Sequence, residues 1–336
     1  MKYIVDIVKE MPESANYNAW AKAPADVIRT LVDKGCSPIF IVVPGNNSLF
    51  ACVKALVQIF LFVKSVKQSD ILFVQRYGYY INLLCFLAKR KKAKVHYIVH
   101  DLTFLRFGNE NSGKLEKRMI KMVDVLYVHT IKMRDKVRQM GYNIPMKVMH
   151  LFDYYSDDEM VDVLLKNKQV VAFAGNLEKS GFLRPLLSSN IPSDMEYRLY
   201  GMKCSLDLSC NNSVKYMGSF KPNNTSAVNA GWGLLWDGNL IETCNGPLGE
   251  YLKINSSHKI SLYLACGLPV IVWKESSLAT WLSQQGVCIT ISSLNEIEES
   301  IKNITDKEYL EMARQAKRLG TKLRNGGMLK ELLSDQ

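Results

Sequence analysis

The sequence predicts an α/β protein made of two doubly wound domains, each with a mostly parallel sheet. Three observations support this fold class. Short apolar strand-like runs alternate with helix-like segments, and most of the strand-like runs end in glycine or a polar loop. The pattern starts again after an acidic segment at 153–162. A length of 336 residues also fits two domains of about 150 residues each. We place the boundary between residues 155 and 156 and expect that the last helix crosses back to the first domain.

In the first half, β-branched and aromatic runs alternate with segments whose apolar residues are spaced three and four apart. The predicted strands are Lys2–Val8, Ile39–Val43, Ile71–Gln75, Lys94–Val99, Val125–His129 and Met146–Leu151. The predicted helices are Ala19–Lys34, Leu49–Val66, Tyr79–Ala88, Leu115–Met122 and Lys132–Met140. Leu49–Val66 is apolar enough to suggest a membrane span, but its two internal lysines and its place between strands favour a packed helix.

The second half repeats the alternation. Its predicted strands are Val170–Ala174, Tyr197–Tyr200, Val214–Met217, Gly233–Trp236, Val270–Val272 and Val287–Ile291. We expect one helix at Ile260–Ala265 and a closing helical region at Glu296–Leu333. The segment from Asp237 to the basic residues near 253 is polar and contains glycine, which predicts a loop.

The excess of positive charge lies entirely in the first half. Through Tyr155 there are 24 Lys and Arg against 12 Asp and Glu, a net charge of +12, whereas the remainder has 19 against 20, a net of −1. The densest run contains Lys89, Arg90, Lys91, Lys92 and Lys94. Such a run is either a solvated helix end or a contact with an anionic membrane surface. No nucleic-acid-binding motif accompanies the charge, so we expect no nucleic-acid partner.

Cysteine usage and the N-terminus predict a cytoplasmic protein. The basic run extends this prediction to peripheral contact with the inner membrane face. The eight cysteines are scattered without a C-x-x-C pair, which predicts reduced, mostly buried thiols and no metal site. The first residues lack the apolar core and cleavage site of a signal peptide.

The stretch from Gly233 to Trp273 carries the clearest chemistry. It reads as strand, loop, helix and strand, with Lys253, His258 and Lys259 close to the start of the helix. Ser256 and Ser257 are candidate N-caps of that helix. Free N–H groups, the positive end of the helix dipole and cationic side chains together predict an anion site suited to a diphosphate.

The same stretch resembles a known family. The residues that carry the resemblance are Trp236-Asp237-Gly238, Glu242-Thr243-Cys244, Tyr251-Leu252-Lys253, Asn255, His258-Lys259 and Leu262-Tyr263-Leu264, with His100-Asp101 and Ala174-Gly175-Asn176-Leu177 in the same order upstream. Together they are similar to bacterial β-1,6-galactofuranosyltransferases of polysaccharide assembly and, more distantly, to glucosyltransferases that glycosylate serine-rich adhesins. The resemblance implies a GT-B fold, with two Rossmann-like domains facing a cleft. It also implies a UDP-sugar in the C-terminal domain, an acceptor in the N-terminal domain and inversion without a bound metal or other cofactor.

Several further residues are candidates for donor binding. Gly175 and Asn176 follow a strand, where the missing side chain of glycine lets a ligand approach the backbone. Lys179 either helps there or is a surface lysine, and Tyr200 either stacks near the uracil or lies in the core. Asp237 and Gly238 either contact sugar hydroxyls or form an Asp-Gly turn. We expect Lys253, Asn255, His258 and Lys259 at the donor.

An inverting transfer needs a base for the acceptor hydroxyl. Asp101 is the first choice because it follows a predicted strand of the first domain, at the carboxyl edge where α/β sites lie. His100 and Glu242 are the rivals, and a helix cap or turn is the alternative role for Asp101.

The sequence therefore predicts an inverting glycosyltransferase that moves galactofuranose from UDP-galactofuranose to a glycan acceptor, either free or lipid-linked. One alternative is a transferase using UDP-glucose or another UDP-hexose on a glycoprotein or lipid-linked glycan. The other is a GT-B-like subunit that binds without catalysis. A homo-oligomer is compatible with each of these three functions.

Overall fold

The computed structural model describes residues 1–9, 21–43, 49–106, 113–160, 162–192, 194–202, 205–207 and 211–334. The chain divides into two compact units. The first unit comprises residues 1–149 together with the segment from Leu329 onward, and the second comprises His150–Met328. The division falls six residues before the predicted boundary, within the segment that links the last strand of the first half to the acidic residues.

The first unit is built on a six-stranded parallel sheet in the order β2-β1-β3-β4-β5-β6. Its strands are β1 Lys2–Lys9, β2 Ser37–Val43, β3 Ile71–Val74, β4 Lys94–Ile98, β5 Val125–Val128 and β6 Met146–Val148. Its helices are α1 Lys22–Asp33, α2 Leu49–Ser65, α3 Tyr79–Arg90, α4 Thr103–Arg106, α5 Lys114–Ile120 and α6 Ile131–Gln139. Every predicted strand and helix of the first half is therefore present, although the first two residues predicted for α1 lie outside the described residues.

The second unit has its own six-stranded parallel sheet in the order β12-β11-β10-β7-β8-β9. Its strands are β7 Val170–Ala174, β8 Glu196–Tyr200, β9 Val214–Gly218, β10 Trp232–Leu235, β11 Val270–Trp273 and β12 Cys288–Ile291. Its helices are α7 Leu183–Ser188, α8 Gly246–Leu252, α9 His258–Ala265, α10 Ala279–Gln284, α11 Ile297–Lys302 and α12 Asp306–Arg324. The last helix, α13 Gly327–Ser334, belongs to the first unit from Leu329 onward. The expected doubly wound α/β architecture is confirmed in both units.

Four helices were not predicted. Three of them, α4, α7 and α10, lie in segments to which no element was assigned. The stretch after Asp237 was expected to be a loop, but it contains the helix α8. Asn245 precedes this helix in an extended conformation, and Pro247 lies in its first turn. Proline is tolerated in the first helical turn because the N–H groups there have no partner within the helix. The glycines at 246 and 249 masked this helix start in the sequence pattern.

The strand order reverses once in each sheet. In the first unit β1 lies between β2 and β3, and in the second β7 lies between β10 and β8. Loops that leave two adjacent strands in opposite directions open a crevice at the carboxyl ends of those strands, and ligands of doubly wound proteins bind there. The fold therefore directs attention to the carboxyl ends of β1 and β3 in one unit, and of β7 and β10 in the other.

The core of the second unit is rich in large aromatic residues. Trp232, Trp236 and Trp273 are fully buried, and the indole N–H groups of Trp232 and Trp236 donate to the Lys168 and Leu240 carbonyl oxygens, both at 2.9 Å. Helix α12 packs closely on α9, because a Cβ atom on Gly320 would lie 1.9 Å from the Leu264 carbonyl oxygen. Only glycine fits at that contact.

Cysteines and helix lengths bear on the other expectations. The six cysteines in the described ranges are free, and five of them are buried. Cys204 and Cys210 lie outside the described residues. Among the helices of the described ranges, none has the length and apolar content needed to cross a membrane.

The C-terminal segment is tied to the first unit by polar contacts. Lys147 Nζ donates to the Leu332 carbonyl oxygen at 2.6 Å, and Lys330 Nζ lies 3.1 Å from Asp33 Oδ2. The end of α13 thus completes the unit that begins with β1.

The segment 153–160, which we call the linker, is anchored to α12 by Asp158. Its carboxylate pairs with the Arg324 guanidinium and accepts hydrogen bonds from Ser156, Thr225 Oγ1 and the Ser226 amide. Burial acts to raise the pKa of Asp158, but these hydrogen bonds outweigh burial and hold the pKa at about 2. Because the folded-state pKa is depressed, the carboxylate stabilises the fold above the unfolded-state pKa, and this contribution is lost as pH falls toward 2.

We predict that Asp158→Asn lowers the free energy of unfolding by about 2 kcal/mol at pH 7, from the size of the pKa depression. Asp162→Asn is the matched control, because Asp162 pairs with Lys317 on the surface and should change stability by less than about 0.5 kcal/mol. Urea unfolding of both variants at pH 7 and pH 3 tests this. A deficit for Asp158→Asn that does not shrink at pH 3 would contradict the assignment.

Candidate functional site

The crevice of the second unit is formed where β7 and β10 end. Gly175 and Asn176 follow β7, and Asp237 and Gly238 follow β10 after Trp236. The Gly175 amide donates to the Tyr200 carbonyl oxygen at 2.9 Å, which fixes the glycine at the sheet edge. The two loops thus leave adjacent strands at the topological switch point.

Helix α9 delivers a cation to this edge. Tyr263 and Lys259 are four residues apart, so they share one face of the helix. The Tyr263 hydroxyl accepts a hydrogen bond from the Ala174 amide at 2.8 Å, at the last residue of β7. Its ring packs on Gly233, where a Cβ atom would lie 2.1 Å from the ring. Gly233 therefore admits the tyrosine, and the tyrosine sets the position of Lys259.

Lys259 lies beside the glycine that follows β7. Its Nζ is 3.1 Å from Asp237 Oδ1 and 4.7 Å from the centre of the Phe173 ring. A Cβ atom on Gly175 would lie 3.2 Å from Lys259 Cε. We call the group of Gly175, Asp237 and Lys259 the Lys259 crevice. Both charged side chains are about one-fifth exposed, so the crevice holds a partly desolvated cation next to backbone that a ligand can approach.

The other two predicted cations do not join Lys259. Lys253 Nζ is 2.8 Å from Glu250 Oε1 and 3.5 Å from Glu275 Oε2, and these partners, Glu250 first, raise the pKa of Lys253. The His258 ring stacks on Tyr154 with the ring centres 5.0 Å apart. His258 therefore packs against the linker, and Lys253 belongs to a separate ion-pair group.

The start of α9 carries further polar atoms. Ser257 is its N-cap residue, but its side chain makes no capping hydrogen bond to any residue that the structure describes. Asn255 Oδ1 and, after β11, Ser276 Oγ are buried and have no hydrogen-bond partner within the described ranges. The two segments are adjacent, since Ser277 Oγ donates to the Asn255 carbonyl oxygen. Buried polar atoms normally have partners, so this place is suited to a bound polar molecule or water.

Two predicted donor residues have structural roles, and a third is exposed on the surface. The Asn176 side chain accepts from the Lys179 amide at 3.2 Å and begins a short 3-10 turn, in which the Lys179 side chain is exposed. Tyr200 is 2% exposed, and its hydroxyl is hydrogen-bonded to both the amide and the carbonyl group of Asn229. The structure thus places Tyr200 in the core, which was the alternative considered for it.

The loop after Asp237 is held by hydrogen bonds. The Gly238 carbonyl oxygen accepts from the Phe182 amide at 3.0 Å, and Asn245 Oδ1 accepts from the Asn239 amide at 2.8 Å. These bonds fix Gly238 beside the Lys259 crevice. Glu242, in contrast, is exposed on the following loop.

The crevice of the first unit contains a chain of polar side chains from three neighbouring strands. Gln75 follows β3, and its Nε2 donates to Asp6 Oδ2 of β1 at 3.1 Å and to the Pro24 carbonyl oxygen at 3.2 Å. These two bonds orient the amide so that its Oε1 faces His100 Nε2 at 2.9 Å. Because an amide oxygen only accepts, Nε2 of His100 carries the proton and the imidazole lone pair is on Nδ1. We call this group the Asp6–Gln75–His100 chain.

Asp101 has a different environment. Its Oδ2 lies 2.8 Å from Arg106 Nη1 of α4, so its charge is balanced by an ion pair. The helix α4 that supplies the arginine is capped by a buried carboxyl group, since Glu116 Oε2 accepts from the Thr103 amide at 2.8 Å. Burial raises the pKa of Glu116 to about 8, despite the opposing backbone hydrogen bonds. Glu116 therefore acts as a largely neutral support of the loop that carries His100 and Asp101.

The basic run between α3 and β4 is partly structural. Lys89 Nζ is 2.6 Å from Asp124 Oδ1, and Lys91 Nζ donates to the Val63 and Lys64 carbonyl oxygens at the end of α2. Arg90, Lys92 and Lys94 are exposed. Three of the five predicted cations are thus available to an external partner.

Sequence reasoning missed the residues that organise both crevices. Tyr263 and Gly233 give no chemical signal of their own, and Ser276 is an ordinary loop serine. Gln75 and Asp6 had a recognisable signal, because each is a polar residue within or directly after an apolar strand run. A buried strand tolerates such a residue only where it finds a partner.

Comparisons with known proteins agree with this architecture. Family models described as "Glucosyltransferase 3-like, N-terminal domain" and "Glucosyltransferase 3-like, C-terminal domain" match residues 1–151 and 171–336. The chain is 28% identical over 259 residues to the β-1,6-galactofuranosyltransferase WbbI of Escherichia coli K12, covering 76% of this chain and 74% of that protein. It is 26% identical over 256 residues to glucosyltransferase 3 of Streptococcus gordonii, covering 74% and 73%.

Solved structures give the fold. Anabaena HepE, in complex with UDP and glucose, superposes with a TM-score of 0.56 at 13% identity over 100% of this chain and 99% of its own. WaaG, a glycosyltransferase of lipopolysaccharide biosynthesis, gives a TM-score of 0.55 at 9% identity over 98% of both chains. Two parallel six-stranded sheets with this topology and these neighbours define the GT-B fold. The chain therefore belongs to the glucosyltransferase 3-like family and is a glycosyltransferase with the GT-B fold.

Proposed function

We propose that the chain is an inverting, metal-independent glycosyltransferase that transfers galactofuranose from UDP-galactofuranose to a glycan acceptor in bacterial polysaccharide biosynthesis. The observation that carries the proposal is the Lys259 crevice, a cation held beside a glycine loop at the switch point of the second sheet. The choice of sugar rests on the similarity to WbbI, and the choice of nucleotide is supported by the UDP bound to HepE.

In this proposal the second unit binds the UDP-sugar. When the bond between the sugar and the diphosphate breaks, negative charge grows on the leaving phosphate, and Lys259 and the start of α9 stabilise it. Asp237 holds Lys259 in position and accepts hydrogen bonds from hydroxyl groups of the donor. Asn255 Oδ1 and Ser276 Oγ, which lack partners among the described residues, then gain polar partners on the ligand.

The first unit binds the acceptor and supplies the base. We propose His100, because the Asp6–Gln75–His100 chain puts the proton on Nε2 and makes Nδ1 the basic nitrogen of the neutral imidazole. Asp101 remains the rival, but it would have to give up its ion pair with Arg106 to take a proton. Glu242, the third candidate, belongs to the second unit, whereas the proposal assigns the acceptor to the first.

We also propose a cytoplasmic enzyme that acts on a lipid-linked glycan at the inner membrane face. The exposed cations Arg90, Lys92 and Lys94 support this placement. The second candidate function is transfer of glucose from UDP-glucose, or of another hexose, and two relatives named glucosyltransferase 3 support it.

Calorimetric titration with UDP tests the donor site. We expect UDP to bind equally with and without EDTA, and Lys259→Ala to weaken binding at least about tenfold, because a charge-assisted contact to phosphate is lost. Lys253→Ala should weaken binding less, since two carboxylates already balance its charge. Lys307→Ala, an exposed lysine of α12, is the control and should bind as the wild type does. Equal binding by Lys259→Ala would remove the basis of the proposal.

The base assignment is tested by turnover. We expect His100→Ala to lower kcat by roughly 10²- to 10⁴-fold, the usual contribution of a general base, with UDP affinity unchanged. Gln75→Met keeps the imidazole but removes the acceptor for Nε2–H, so kcat should fall with little change in KM for the donor. Asp101→Asn should retain activity within about tenfold of the wild type. If Asp101→Asn lowered kcat more than His100→Ala did, Asp101 would be the base.

The sugar is decided by a transfer assay with UDP-galactofuranose, UDP-galactose and UDP-glucose and an oligosaccharide acceptor. We expect the highest kcat/KM with UDP-galactofuranose and a product whose anomeric configuration is opposite to that of the donor. A preference for UDP-glucose would favour the second candidate function. A product with retained configuration would exclude a single displacement with His100 as base.

A further inference from the structure

Helix α2 of the first unit is apolar on both sides. Its inner face packs on the unit through Ala55, Ile59 and Val63, which are buried. Its opposite face also consists of large apolar side chains, between 49% and 83% exposed, which we call the outer stripe: Leu49, Phe50, Val53, Val57, Phe60 and Leu61. Successive members are one, three or four residues apart and fall on one side of the helix, so they form one continuous stripe along it. An ordinary surface helix has charged and polar residues there.

The apolar surface continues onto the neighbouring helices. Helix α2 packs against α3, whose Tyr79 and Phe86 are 78% and 47% exposed. Between α3 and α5 lies a groove of about 420 Å³, with Leu83, Leu115 and Met122 among its lining residues and Arg118 and Lys121 at its basic side. Soluble monomers rarely expose apolar patches of this extent unless the patch binds a partner.

The charge around the stripe identifies the partner. Residues 49–100 contain nine Lys and Arg and one Asp, a net charge of +8. Two of these cations, Arg76 and Lys89, are paired with Asp6 and Asp124, which lie outside this range. The single acidic residue, Asp70, is already paired with the N-terminal amine. Lys54 and Lys64 lie on α2 itself, and Arg90 and Lys92 are exposed nearby in the chain. An apolar stripe bordered by cations is complementary to an anionic lipid surface. A second copy of the same face would instead bring like charges together.

The geometry excludes a span. The 17 residues of α2 extend about 25 Å along its axis, which is less than the hydrocarbon thickness of a bilayer. One face of the helix is buried against the protein. Lys91 holds the last carbonyl groups of α2, and the Gln58 side chain bonds to both backbone groups of Val42. The helix is therefore fixed to the unit along its length and can only lie in the plane of the interface.

We propose that α2, together with the groove between α3 and α5, docks the enzyme on an anionic phospholipid bilayer. The outer stripe lies among the upper acyl chains, and the surrounding lysines and arginines contact the headgroup phosphates. This surface rests on residues of the first unit alone and does not depend on which sugar the second unit binds. Only its use, the delivery of the enzyme to a lipid-linked acceptor, rests on the proposed function.

The test is flotation of the purified full chain with vesicles of phosphatidylcholine, with and without added phosphatidylglycerol. We expect binding to the phosphatidylglycerol vesicles that weakens as salt is raised, and much weaker binding to phosphatidylcholine alone. A variant with Phe50→Ser, Phe60→Ser and Leu61→Ser should lose at least about tenfold in partitioning, because the acyl-chain contacts are removed. A variant with Arg90→Gln, Lys92→Gln and Lys94→Gln should lose the dependence on phosphatidylglycerol but keep part of the binding.

The matched control replaces exposed apolar residues of the second unit, Leu165→Ser, Met217→Ser and Leu310→Ser, and should float as the wild type does. UDP titration of every variant separates loss of lipid binding from misfolding and from failure of the donor assignment. Wild-type binding by the outer-stripe variant, or no binding of the wild type to either vesicle, would overturn the proposal. A wild-type dimer that this variant dissociates would show instead that the stripe joins two copies.

Discussion

The hydrogen bond from the Ala174 amide to the Tyr263 hydroxyl determines the geometry of the second unit's crevice. It joins the end of β7 to the last turn of α9 inside the core, where an unpaired amide would cost about 1–3 kcal/mol. It requires the absence of a side chain at Gly233, over which the Tyr263 ring lies. Because Lys259 is one turn earlier on the same face, the bond also fixes the cation beside Gly175. Replacing this tyrosine would therefore change both the stability of the sheet edge and the position of the charge.

The two units place different chemistry at the switch points of two doubly wound sheets whose strand orders differ. Both sheets reverse their strand order once, and both have a crevice at the carboxyl ends of the two strands concerned. The second unit brings a cation and glycine backbone to that place, which suits a phosphate. The first unit brings the Asp6–Gln75–His100 chain, which suits the orientation and deprotonation of a hydroxyl group. The repeated fold supplies the location, and the side chains that follow each strand supply the function.

The fold was predictable because the strand runs are short, apolar and closed by polar or glycine residues. The position of Lys259 and Asp237 at the same edge of the second sheet was predictable as well, since it follows from the order of strand, loop and helix. What the sequence could not show is which neighbouring charges meet. Lys253 and Lys259 are six residues apart, yet the turn before α9 directs one toward Glu250 and Glu275 and the other toward Asp237. The Gln75–His100 contact joins residues 25 positions apart on neighbouring strand ends, and no local pattern contains it.

The basic run and α2 show that the sequence also does not reveal which side chains serve the fold and which face a partner. From the sequence, five adjacent cations formed one candidate patch, and α2 was expected to be a packed helix. In the structure Lys91 turns back to the last carbonyl groups of α2 and Lys89 pairs with Asp124, so part of the run serves the fold. The packed helix, in turn, has an apolar outer face that packing does not use. Hydropathy records only that a residue is apolar, and the direction in which it points decides whether that property serves the core or a partner. In this protein the outer stripe of α2, more than the lysine run, is the feature that ordinary packing leaves unexplained.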